Sequence, residues 1–167
     1  MRAPIHHRMR VLLPMVLAIA CAGLAILWPG WQTALRAQSV YFLQVAIDIK
    51  PGSDANCINP RSRGVFSVAI LGSSVDITTI DVSTIEIDDD GDPITTPGVA
   101  PVNFSFNDVD GDGTTDLVLH FRTPELNAAG LLIDGNALYV TGELTTDDRF
   151  LRGLDQIFLA GGPNCLD

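Results

Sequence analysis

Beyond residue 37 the chain has no tryptophan, one histidine (His120), two cysteines (Cys57 and Cys165) and six basic residues against twenty acidic ones, a net charge of −14. Each scarcity removes a class of function. A single histidine and two isolated cysteines offer no zinc-ligand spacing. No serine sits in a Gly-x-Ser-x-Gly turn, and His120 has no evident orienting partner, so a nucleophilic hydrolase has little to build on. The acidic excess argues against nucleic acid and against an anionic membrane surface, and favours cations or a basic partner. Aromatic platforms for sugars are also scarce: Tyr41 and Tyr139 accompany seven phenylalanines, most of which alternation places inward. No repeat of 20 to 50 residues marks a propeller or solenoid.

What is present starts with a leader. Arg2, Arg8 and Arg10 precede an apolar run from Val11 to Trp28, and Ala37 is a small residue at which cleavage would leave a chain starting at Gln38. Residues 1–37 are therefore expected to be a signal peptide. Leu35 is large for the position three before the cut, and 18 apolar residues are long enough to remain as a membrane anchor, which would be the chain's one membrane contact. Lipidation at Cys21 after Ala18-Ile19-Ala20 is a third fate. Export leaves Cys57 and Cys165 as an even pair, which points to a disulfide; two buried free thiols are the alternative.

Residues 38–167 fit one domain, and their periodicity is two. Leu43, Val45, Ile47 and Ile49 alternate with polar or small neighbours; Phe66, Val68 and Ile70 oppose Val65, Ala69 and Leu71, as in a central strand covered on both faces. Further strands are expected at Thr84 to Asp88, Val102 to Phe106, Leu117 to Phe121, Leu138 to Thr141 and Gln156 to Ala160. No convincing helix follows residue 40, although a helical turn fits near Thr79 to Ser83. About seven short strands predict an all-β fold, an antiparallel β-sandwich of immunoglobulin-like architecture, with a small barrel as competitor.

The run Asp108-Val109-Asp110-Gly111-Asp112-Gly113-Thr114-Thr115-Asp116 carries the clearest chemistry. Asp108, Asp110, Asp112 and Asp116 stand at loop positions 1, 3, 5 and 9, with Gly113 at the bend and the Thr114 carbonyl as a further oxygen. That is the spacing of a calcium loop, because a hard cation collects six to eight oxygens around one point. Leu119 replaces the glutamate that closes an EF-hand, and a strand pattern follows rather than a helix. In feeding a strand the loop resembles the calcium loops of integrin-type propeller repeats, and in its ligand spacing alone it resembles thrombospondin type 3 and dockerin loops. A second, weaker set is Asp88, Asp90 and Asp92, where Pro93 takes the glycine position; an acidic turn on Asp90-Gly91 is the simpler account.

A wider resemblance covers roughly residues 45 to 160. Ile47-Asp48-Ile49-Lys50-Pro51-Gly52-Ser53, Asn56-Cys57-Ile58-Asn59-Pro60, Arg63-Gly64-Val65 and Val68-Ala69-Ile70-Leu71-Gly72, followed by the acidic loop and Asp116 to Phe121, resemble a recurrent domain of exported bacterial and archaeal proteins. The resemblance implies an extracellular β-domain with a calcium loop and implies no reaction. Two cysteines of that family correspond here to Tyr139 and Leu154. The expectation is thus an exported or cell-surface calcium-binding module with a structural or interaction role and no enzyme activity, its partners calcium and an extracellular protein or glycan. A calcium-dependent carbohydrate-binding module and a hydrolase using His120 are the competing classes.

Overall fold

Alternating side chains on short strands leave each sheet one apolar face, and two such faces close on each other. The computed structural model describes residues 41–53, 55–147 and 149–165; the expected leader, residues 1–37, lies outside them. Ten strands run in the order β1 (Phe42–Gln44), β2 (Ile47–Ile49), β3 (Cys57–Ile58), β4 (Val65–Ile70), β5 (Ile80–Asp88), β6 (Asn103–Asn107), β7 (Asp116–Arg122), β8 (Ala137–Leu144), β9 (Phe150–Gln156) and β10 (Phe158–Leu159). One sheet has the order β1-β9-β8-β5 and the other β2-β4-β7-β6, while β10 and β3 form a separate parallel pair. The fold is the expected all-β sandwich. Its core joins Ile49, Val68, Ile70, Leu117, Leu119 and Phe121 of one sheet to Ile85, Ile87, Leu138, Val140 and Leu151 of the other.

The count of ten against about seven comes from strands too short to show a period. The expected single strand over Leu43 to Ile49 is two. The Val45 amide donates to the Arg152 carbonyl in the first sheet, and the Ala46 carbonyl accepts from Leu71 beside the second. The chain thus changes sheets within one residue, as strands do at sandwich corners. Gly153 makes the crossing feasible, since a Cβ there would lie 2.4 Å from Ile47 Cγ2 and 3.0 Å from the Val45 carbonyl oxygen. In β4, Val65 is exposed while Ala69 is fully buried, so its second face is covered only at one end.

Two local elements differ from expectation. A helix α1 spans Thr123–Ala128, with Pro124 in its first turn and Leu126 fully buried. Six residues are too few for a helical period to register. The helical turn lies at Ile77–Thr79, capped by Asp76, whose side chain accepts from the Thr78 amide; Ile80 onward already belongs to β5. The Asp76 carboxyl is held below its usual range by the Thr78 side-chain and backbone hydrogen bonds.

The motif residues near Lys50 form a clamp at the C-terminal end. Asn56, in the left-handed region (φ 44°), donates through Nδ2 to Asp155 Oδ2 (2.9 Å) and to the Gln156 carbonyl (2.9 Å), while the Ile49 amide donates to the same Asp155 oxygen (3.0 Å). Lys50 Nζ donates to the Cys57 carbonyl. Beside it Cys57 and Cys165 form the expected disulfide, closing a sequence separation of 108 with Cα atoms 5.8 Å apart. Nothing in that separation makes the two cysteines neighbours; the parallel pairing of β10 with β3 does.

Candidate metal centre

The acidic loop joins β6 to β7, an antiparallel pair in register from Asn103↔His120 to Asn107↔Asp116. Aspartates in such a turn bond to amides a few residues ahead, and here they do so in series, two to five residues on. Asp108 accepts from the Gly111 amide (2.8 Å) and the Gly113 amide (3.0 Å), Asp110 from Asp112 (3.0 Å), and Asp112 from Thr114 (2.6 Å). Gly111 and Gly113 have φ of 77° and 87°, and a Cβ on either would meet nothing within 4 Å, so glycine is needed for conformation rather than room.

Asp116 differs from the others. It is fully buried, and its two oxygens accept from different segments: Oδ1 from the Gly72 amide (2.9 Å), Oδ2 from the Val109 amide (2.9 Å). It therefore pins the loop to the turn after β4. The approach is close enough that a Cβ on Gly72 would fall 2.1 Å from the Thr115 carbonyl oxygen.

Asp108, Asp110 and Asp116 each present a carboxylate oxygen such that these atoms all lie within 4.8 Å of one another. The donor set is all oxygen and threefold anionic, which suits a hard cation such as calcium and not a soft metal. Asp112 lies outside this group, its carboxylate turned to Thr114. The geometry draws three of the four expected carboxylate ligands together.

Asp88, Asp90 and Asp92 form no such group among the described residues. Asp88 Oδ1 accepts from the Asp90 amide (3.1 Å) and the Gly91 amide (2.5 Å), making a turn from which the chain returns along β5, where Ile87 and Val99 exchange backbone hydrogen bonds. Gly91 (φ 67°) packs against Tyr139 and Arg152; a Cβ there would meet Tyr139 Cδ1 at 2.8 Å. Asp88 Oδ2 is buried without a hydrogen-bond partner, and burial raises the carboxyl's pKa against the lowering effect of the Gly91 and Asp90 amides. Asp92 is held low by the Ile94 amide and then the Thr95 hydroxyl.

His120 lies opposite the core face, as alternation predicts, with Nδ1 3.0 Å from Ser67 Oγ across the β4–β7 pair. Among the described residues no carboxylate is hydrogen-bonded to the ring. Sequence reasoning missed the exposed aromatics: Phe104 and Phe106 pair with the fully buried Leu119 and Leu117 and so share the core-side face, yet are 45% and 55% exposed. They are inward by alternation but only partly covered: Phe104 shares a cleft with Val82 and Ser83 of β5, and Phe106 one with Val75 and Ile77. No protein-family model, curated protein or solved structure matches this chain.

Proposed function

We propose that this chain is an exported calcium-binding β-sandwich module with a structural or interaction role at the cell surface or outside the cell. The observation that carries the reading is the convergence of Asp108, Asp110 and Asp116 on one point at the head of β7. An ion there would offset the repulsion of three carboxylates and fix the turn between β6 and β7. The Cys57–Cys165 disulfide supports an oxidising compartment. Extracellular calcium modules work at Kd of about 10⁻⁴ to 10⁻³ M. At ~10 mM calcium this adds about 1.4 to 2.7 kcal/mol of stability by linkage. Thermal melting with calcium and then with excess chelator tests the reading; a midpoint indifferent to calcium overturns it.

The calcium-dependent carbohydrate reading draws on the half-exposed Phe104 and Phe106 beside the loop. Their rings stand edge to face at 76°, with centroids 5.8 Å apart, which does not make the flat platform on which a sugar ring stacks. Calcium-dependent binding on a glycan array would restore it.

A further inference from the structure

Natural sheets protect their edges with charge, proline, brevity or a covering segment, because an open edge pairs with any extended chain. On the β5 edge, Ile87 is covered by its bridge to Val99, and β2 carries Asp48. Edge strand β6 reads Asn-Phe-Ser-Phe-Asn, with no charge, no proline and all five residues exposed. One of its amides, that of Phe104, donates to the Asn103 side chain, an acceptor that an arriving strand can replace (2.9 Å).

Two clefts adjoin the aromatic side chains of β6. Phe106 with Gly72, Val75, Ile77 and Thr115 lines a mainly apolar cleft of about 560 Å³, and Phe104 with Val82, Pro101 and Val102 lines another of about 320 Å³. Phe104 and Phe106 share one face of β6, so both clefts lie on that face, the smaller one walled in part by Val82 and Ser83 of β5 in the opposite sheet. Alternate side chains of a segment paired to β6 would enter these two clefts in turn. Charge selects the occupant. Among the described residues no lysine or arginine lines either cleft, Asp76 lines the larger, and β6 runs directly into the exposed Asp108, Asp110 and Asp112. A second copy of this chain, itself strongly acidic at −10, is repelled.

We propose that the open edge of β6 is the docking site for an extended segment of another protein, with alternating aliphatic side chains and a lysine- or arginine-bearing end that lies against the acidic loop. The inference deepens the interaction role proposed above and does not depend on the ion, since a divalent cation leaves Asp76 and the loop carboxylates with a net negative charge.

The test uses the full chain and two fluorescent peptides that share a Ser-Val-Thr-Ile-Thr-Val core, one preceded by two lysines and the other by two glutamates. Anisotropy should show the lysine peptide binding at least about tenfold tighter at low salt, with the gap narrowing as salt screens it. Phe104→Ser and Phe106→Ser should each weaken binding about tenfold, while Ile133→Ser, an equally exposed residue elsewhere, leaves it unchanged. Hydrogen exchange on the parent gives a readout free of variants: the Phe104 and Phe106 amides, which alternate with those bonded to β7, should gain protection only when peptide is added. Protection of those amides before peptide is added, self-association through them, equal affinity for the two peptides, or equal weakening by Ile133→Ser would overturn the proposal. Titrations in calcium and in chelator separate the two readings: lost calcium stabilisation with retained peptide binding sinks the metal centre alone, and the reverse sinks the docking edge alone.

Discussion

Asp116 makes two contributions that one pair of substitutions separates. Its oxygens hold the Gly72 and Val109 amides, both 2.9 Å away, and it is fully buried. Hydrogen bonds to a charged acceptor contribute about 1.5 to 3 kcal/mol each, and a buried donor left unpaired costs a further ~1 to 3 kcal/mol. Asp116→Asn keeps the shape and one acceptor but turns an NH₂ toward the other amide. It should lose about 3 to 5 kcal/mol even in excess chelator. Asp110 is exposed, and its carboxylate bonds within the loop, to the Asp112 amide. Asp110→Asn should therefore stay within about 1 kcal/mol of the parent in chelator and lose most of the calcium increment. Urea denaturation of the three proteins, with and without calcium, gives all six stabilities. An Asp116→Asn variant as stable as the parent in chelator would refute the pinning argument, and an Asp110→Asn variant that keeps the full calcium increment would refute the ligand assignment.

Gly153→Ala should be among the most damaging single-methyl additions, at about 2 to 4 kcal/mol, because Ile47 and the Val45 carbonyl cannot both retreat from the crossover; a melting midpoint within about 2 °C of the parent would contradict this. Cys57→Ser or reduction should remove on the order of 3 to 5 kcal/mol by the loop-entropy argument, read as a lower urea midpoint, and an unchanged midpoint would contradict it. The raised carboxyl of Asp88 means that the folded state holds that proton more tightly than the unfolded state. Its contribution to stability is full below the unfolded pKa and is lost as pH rises through the folded pKa. Asp88→Asn should accordingly gain on the parent between about pH 3 and about pH 7 in chelator, and a flat difference across that range would count against burial as the cause.

Period-two alternation made the sandwich legible, because Phe66, Val68 and Ile70 or Leu117, Leu119 and Phe121 could be read only as buried faces of strands. The disulfide was legible from the even cysteine pair. The acidic loop was legible from ligand spacing, but spacing does not say which oxygens are already committed. Asp112 is turned to Thr114 and Asp116 is shared with Gly72, a contact across 44 positions that no local pattern encodes. The crossover at Val45-Ala46 left no trace in the pattern because changing sheets does not interrupt alternation. Alternation places most phenylalanines inward, but burial also needs an opposite wall, and Phe104 and Phe106 stay 45% and 55% exposed.

The clamp at Cys57 also decides how the chain carries force. A pull delivered through residues ahead of Cys57 and behind Cys165 crosses the S–S bond directly and leaves the intervening polypeptide out of the load path. The 108 positions so bypassed correspond to roughly 360 to 390 Å of extended chain that tension cannot release. Among the described residues ahead of Cys57, β1, β2 and the Lys50 turn lie on the loaded side, whereas the acidic loop and β6 lie within the bypassed segment.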